Sequence, residues 1–314
     1  MPQRPAYRDL PEGCAWGVFE DDASGALALL TPERVLAAAR LVRTGRRFSL
    51  DLMIDQPDPP FFGREAVRHE VFQYSANVID DRLDSFFPQG STQWDALAHY
   101  AHPKKGFHGG HDADAIMNNG ALGIEAWHSK GIVGRGVLLD MARHTEIPGD
   151  DSFVVTPDLL DECADAQDVS VREGDILCVR VGWLSWYRSL DPAARVALAE
   201  SSRGQQLSMR IPGIGPGPEV AEWLWDHGVA AIAVDNPTVE PIPFAGSEDG
   251  SLGPEDALHA RVLALLGIPL GEFFDLDALA EDCAADGVYD FFFTSAPLGI
   301  PGGIGSPPNA LAIK

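Results

Sequence analysis

Asp175-Ile-Leu-Cys-Val-Arg-Val181 is a short run of strand-forming residues, apolar almost throughout and bordered by glycine and aspartate. Such a run suits a strand buried on both faces, because a half-exposed strand alternates apolar with polar side chains. Two further runs have the same make-up: Gly136-Val-Leu-Leu-Asp140 before it and Val229-Ala-Ala-Ile-Ala-Val-Asp235 after it. Helical stretches separate them, notably Pro157 to Ala166 and Pro218 to His227. Strands that alternate with helices predict an α/β protein. A last helix is predicted from Pro254 to Leu266.

On the N-terminal side, Thr31-Pro32-Glu33 followed by Val35, Leu36, Ala39 and Val42, then Gly45, predicts a capped amphipathic helix. Phe48 to Ile54 is rich in strand formers, and the run Gln56-Pro-Asp-Pro-Pro60 ends it. The tail from Pro297 to Pro308 is rich in Gly and Pro. With Ile300, Ile304, Leu311 and Ile313 available for packing, it reads as a pocket-lining loop in preference to a loose end. No repeat, low-complexity tract or charged linker divides the chain. The simplest organisation is an N-terminal extension over residues 1–45, packed on one domain over residues 46–314.

The 314 residues carry 23 Lys plus Arg against 47 Asp plus Glu, a formal charge of −24. That field repels nucleic acid and anionic membranes, so neither is expected as a partner. No window approaches the roughly 18 apolar residues of a membrane span, and the first residues lack the apolar core of a secretory signal. Cys14, Cys163, Cys178 and Cys283 form no C-x-x-C pair and are too few to staple a chain of this size. These features lead us to expect a cytoplasmic protein with reduced thiols.

Two clusters carry candidate chemistry. In Gln89-Gly-Ser-Thr-Gln-Trp-Asp-Ala-Leu-Ala-His99, Asp95 and His99 stand four apart and would share a face of a helix. In Leu258-His259-Ala-Arg-Val-Leu-Ala-Leu-Leu-Gly-Ile-Pro-Leu-Gly-Glu272, a histidine on an apolar helix is followed by one acid among apolar residues. Glu272 should be buried, and a buried carboxylate requires a hydrogen-bonding partner or a cation. A polar loop with His102, His108 and His111 is a further potential source of ligands. No phosphate loop, dinucleotide fingerprint or Gly-x-Ser-x-Gly nucleophile turn is present.

Together the two clusters resemble the cyclase family, to which kynurenine formamidase and isatin hydrolase belong. Its motif, His-x-Gly-Thr-His-x-Asp-x-Pro-x-His, matches Gln89 to His99 in length, with Thr92, Asp95 and His99 kept. Gln89 and Gln93 replace the first two histidines and Leu97 the proline. The likeness continues through Gly134 to Asp140, Glu173 to Leu177, Gly182-Trp183, Gly213 to Asp235 and His259 to Leu276.

The resemblance implies the family's swivelling β/β/α domain, an α/β fold with a mixed β-sheet and flanking helices. It also implies metal binding by Asp95, His259 and Glu272, with His99 as general acid/base. Gln89 and Gln93 are poor substitutes for imidazole on zinc, which leaves one divalent ion, manganese or zinc, as the expected cofactor. The two glutamines would then contact substrate or steady Asp95. Trp16, in a segment similar to a subgroup's N-terminal Trp-Gly stretch, and His108 are further residues expected beside substrate or metal, although core packing is the plainer role for Trp16. The implied function is hydrolysis of an amide, or of a cyclic amide or ester, of a small molecule by metal-activated water, with aromatic substrates among the candidates. Ring closure in a natural-product pathway and non-catalytic ligand binding are the alternatives. Family members generally form dimers or tetramers.

Overall fold

The computed structural model describes residues 4–204, 207–243 and 256–314. Its strands are β1 (Arg47–Ser49), β2 (Arg68–Ser75), β3 (Val78–Asp84), β4 (Gln93–Asp95), β5 (Ile132–Asp140), β6 (Val154–Val155), β7 (Ile176–Arg180), β8 (Gly213–Ile214), β9 (Ala231–Val234), β10 (Leu270–Glu272), β11 (Asp290–Ser295), β12 (Gly305–Ser306) and β13 (Leu311–Ile313). Nine of them form one sheet in the order β1-β13-β11-β5-β7-β9-β10-β4-β12. The three apolar runs are its centre, β5, β7 and β9, paired in parallel and sealed from water on both faces. Parallel neighbours need a crossover, and the helices Pro157–Ala166 and Pro218–Asp226 lie in those connections. β10 extends the parallel set, while β4, β12, β11, β13 and β1 join antiparallel, so the sheet is mixed.

Local chemistry explains the element boundaries. Thr31, Thr156 and Asp191 each accept a hydrogen bond from a backbone N–H of the first turn, and each is followed by proline at the first helical position. Gly136 lies opposite Phe291 in the β5–β11 register, and a Cβ at Gly136 would fall 2.2 Å from that ring. The missing side chain lets the phenyl group lie flat across the strand. Phe61, Trp183, Tyr187 and Phe273 pack as an aromatic cluster, with Trp183 and Tyr187 stacked at 5.2 Å. Phe291 and Phe293 are likewise buried, which accounts for these aromatic runs as core.

Three local expectations are corrected. Gln89 to His99 is not helical: a short turn at Pro88–Gly90 leads into β4, whose backbone is claimed on both sides by β10 and β12. Asp95 and His99 still face each other because the chain turns back, with His99 N–H bonded to the Ala96 carbonyl at 2.8 Å. Of the Phe48 to Ile54 strand, only Arg47–Ser49 pairs in the sheet. The helix expected from Pro254 begins outside the described residues, and from His259 to Leu266 it is a π-helix closed by Gly267 in a left-handed conformation.

Both ends of the chain support the site. Ala15 N–H and the Trp16 indole N–H bond the Leu265 and Ala264 carbonyls, and Ala26 N–H bonds that of Gly267, so the N-terminal segment holds the π-helix from outside. The Gly/Pro-rich tail is ordered, and its strand β12 pairs Gly305 with Asp95. No helix among the described residues is long and apolar enough to cross a membrane.

Candidate metal centre

β4 and β10 run antiparallel with Gln93 opposite Glu272 and Asp95 opposite Leu270. Gln93 and Asp95 are two apart on one strand, so they share a face, and Glu272 faces the same way. The first turn of the π-helix brings His259 over that face. A π-helical run is rare and often marks a site where a side chain must be placed off the ordinary helical spacing.

Asp95, His259 and Glu272 each offer a ligand atom within 4.8 Å of the others, the one such group of three among the described residues. His259 Nε2 lies 3.6 Å from Asp95 Oδ2 and 3.4 Å from Glu272 Oε1. All three are buried, with Asp95 completely so. Both Asp95 oxygens and Gln93 Oε1 are shielded from water and accept no hydrogen bond. Buried carboxylate oxygens without donors are costly unless a cation satisfies them. Two carboxylates and one imidazole form a donor set suited to a divalent ion, and those residues therefore fit one.

Their electrostatics agree. Burial drives Glu272 up to about 7, and the neighbouring charge of Asp95 adds to the effect. Burial also opposes ionisation of Asp95, but His99 and His259 outweigh it and hold its pKa below the usual value. Burial works against the His259 imidazolium too. Glu240, Asp95 and Glu272 overcome it and raise His259 well above an ordinary histidine.

Beside this group, His99 Nδ1 stands 3.9 Å from Asp95 Oδ1, and 26% of the His99 side chain is exposed. Burial of the ring lowers its pKa below that of an ordinary histidine, against the pull of Asp95. Tyr100 lies against the other side of His259, ring centroids 5.4 Å apart.

Of the remaining sequence candidates, Gln93 is at the site and the others lie around it. Gln93 Nε2 donates to Glu272 Oε2 at 2.5 Å, so it steadies the glutamate and not Asp95. Gln89 sits in the turn before β4, against Gly305. His108 is buried with its Nδ1 against the Ala264 carbonyl at 3.2 Å, and Trp16 bonds that same carbonyl at 2.8 Å. Both residues therefore brace the π-helix from behind, which is the packing role for Trp16. His102 bonds locally within its own turn.

Two residues escaped the sequence reading. Glu240 accepts from His259 Nδ1 at 3.1 Å and from His259 N–H at 3.1 Å, which fixes the ring and turns Nε2 toward the carboxylates. Its signal was the one used for Glu272, a single acid among apolar residues and prolines in Val239-Glu-Pro-Ile-Pro243. Arg64 is the second: its guanidinium acts electrostatically on Asp95, His99 and Glu272. No local pattern marked it.

Two carboxylates on neighbouring strands of a mixed α/β sheet, with an imidazole from a π-helix set over them, define a class of proteins whose donor group suits a divalent cation. The chain belongs to the cyclase family, whose model matches residues 57–241. A solved structure described as a novel cyclase is 34% identical, with a TM-score of 0.82 over 96% of this chain and 99% of that one. Isatin hydrolase A from Labrenzia aggregata shares the fold at 18% identity and a TM-score of 0.59, over 89% of this chain and 97% of that one. The Ralstonia solanacearum isatin hydrolase A does so at 20% identity and 0.58, over 90% and 98%. No curated protein matches the chain in sequence.

Proposed function

We propose that this protein is a hydrolase dependent on one divalent metal ion, manganese or zinc, that cleaves an amide or a cyclic amide or ester of a small molecule. The observation that carries the reading is the convergence of Asp95, His259 and Glu272 with both Asp95 oxygens lacking donors, beside His99. Asp95, His259 and Glu272 would hold the ion. A divalent cation bound there supplies Lewis acidity, which polarises a carbonyl and brings the pKa of coordinated water toward roughly 7.

This chain's own groups do the rest. Glu240 holds the His259 ring with Nε2 inward, and the Gln93 amide fixes one oxygen of Glu272. His99, the partly exposed imidazole at the rim, takes the proton of the attacking water and returns it to the leaving nitrogen or oxygen. Burial of the group on strands β4 and β10 keeps bulk water from competing for the same oxygens. The test is the metal content of the purified protein by elemental mass spectrometry, beside Glu272→Ala, followed by a screen of amides and lactones. About one equivalent, lost in the variant together with hydrolysis, is expected. No metal after supplementation would sink the reading.

The same reading includes a homodimer or homotetramer, supported by the hairpin of β2 and β3. Every residue of both strands is exposed. Val71, Ile79 and Leu83 line one face at 61%, 70% and 46% exposure. His69, Gln73 and Asp81 share that face, and a two-stranded hairpin is marginal in water, so its three apolar residues gain from cover by another copy. Val71→Asp with Ile79→Asp is expected to lower the sedimenting mass to that of a smaller assembly. An unchanged mass would remove the hairpin from the interface. The four cysteines are free thiols, which supports a cytoplasmic setting.

A further inference from the structure

The loop before the hairpin presents an arginine to the acidic group in a way that folding alone does not require. Phe61 is locked into the aromatic cluster against Phe273, the residue next to Glu272. Phe62 and Gly63 follow in left-handed conformations, φ 60° and 72°. For Phe62 that conformation is strained and needs support from its surroundings, which the Ser202 hydroxyl supplies by accepting from Phe62 N–H at 2.8 Å. This turn sets the Arg64 guanidinium 5.2 Å from the Phe62 ring. Its Nη1 is buried and has no hydrogen-bond partner. Asp95, Glu272 and His99 all register its charge. A partly buried guanidinium that lies over an aromatic ring, with one shielded nitrogen short of an acceptor, is prepared to receive one.

We propose that Arg64 binds the carboxylate that hydrolysis creates, and the carbonyl oxygen from which it forms; this rests on the hydrolase reading above. In that reaction the water oxygen bonds to the acyl carbon and the C–N or C–O bond breaks, its electron pair staying on the leaving atom. One water proton goes to the leaving atom and the other to base or solvent. The acyl fragment departs as a carboxylate. Negative charge thus develops beside Asp95, Glu272 and Glu240, and a second cationic group facing the substrate would share with the metal ion in stabilising it. Arg64 supplies one with two N–H groups in a planar fork, the geometry that pairs with a carboxylate. The substrate class follows: acyl compounds whose product carboxylate is small enough to reach between Arg64 and the Asp95 group.

The test measures metal content and benzoate binding by calorimetry on the metal-supplemented protein, in wild type, Arg64→Met and Arg64→Lys. Arg64→Met is expected to keep its metal and bind benzoate about 10–100-fold more weakly, the loss of a charged hydrogen-bonded pair. Arg64→Lys should recover part of the affinity, since it keeps the charge and loses the fork. Benzoate affinity equal in wild type and Arg64→Met, or a metal-loaded wild type that binds no benzoate, overturns the proposal and leaves the hydrolase reading standing. Loss of metal from Arg64→Met also overturns it, because Arg64 would then be a prop of the acidic group. Absence of metal from wild type is the separate failure of the hydrolase reading itself.

Discussion

Asp95→Asn is expected to cost far more stability with metal than without it. Metal-free, the wild-type protein buries Asp95 completely, with both oxygens lacking donors, beside a second carboxylate that burial and Asp95 push up to about 7. Asparagine has nearly the same shape and removes the like-charge contact with Glu272. His259 does not become an orphan, because Glu240 and Glu272 remain as partners. The lowered pKa of Asp95 shows that His99 and His259 favour its charge in the fold, so the metal-free variant should lose a little stability at neutral pH, on the order of 1 kcal/mol. Metal enlarges the difference. At a thousand times its dissociation constant, a ligand that binds only the folded state adds about 4 kcal/mol, and the Asp95→Asn variant forfeits most of that by losing the charged ligand oxygen. Thermal melts of both proteins in chelator and in manganese or zinc provide the four values needed. A metal-free variant that melts well below wild type would show that Asp95 is a structural ion-pair partner of His259 and not a ligand. Hydrolysis should fall with metal content in the same variant.

What was legible in the sequence, and what was not, follows from the range of the forces concerned. β5, β7 and β9 were readable because two-sided burial leaves its mark on every residue of a run, and the helix at Pro32–Ala39 because its cap and proline are neighbours in sequence. Glu272 was readable as a buried acid because its apolar setting is local. The Gln89 to His99 segment misled on conformation. Its four-residue spacing is compatible with a helix, and the two strands that hold β4 extended come from residues 270–272 and 305–306, far along the chain. The π-helix was invisible for a related reason. Its apolar pattern is that of an α-helix, and the widened turn is held by backbone bonds from Ala15 and Ala26. Arg64 had no sequence signal at all, since an arginine in a Pro/Gly-rich loop is ordinarily solvated. Its electrostatic influence on Asp95 and Glu272 arises from tertiary placement after the left-handed pair at Phe62 and Gly63.

Gly213→Ala should damage the metal centre although residue 213 is not part of it. Gly213 lies in β8, where its N–H bonds the Phe153 carbonyl at 3.0 Å. A Cβ there would fall 2.4 Å from the Glu240 carbonyl carbon and 2.5 Å from the Val239 oxygen. Both obstacles are backbone, so no rotamer change relieves the clash. Nor can the segment withdraw freely: Ile214 N–H and the Asn236 amide both hold the Val239 carbonyl, at 2.9 and 3.2 Å, and Val239 is already left-handed at φ 58°. The strain must pass to Glu240, whose carboxylate fixes both the ring and the backbone N–H of His259. Overpacking of this kind costs about 3 kcal/mol, and disturbing the group that orients a ligand histidine typically weakens metal binding about 10–100-fold. Two comparisons separate these effects. Gly287→Ala meets no atom within 4 Å at a φ of 73°, so it should cost about 1 kcal/mol and leave metal affinity unchanged. Glu240→Gln leaves the backbone where it is and should weaken metal binding with a smaller loss of stability than Gly213→Ala. If Gly213→Ala destabilises the fold yet binds metal as tightly as wild type, the 239–240 segment yields without moving its carboxylate; if Glu240→Gln does so too, Glu240 is not what holds His259 in place.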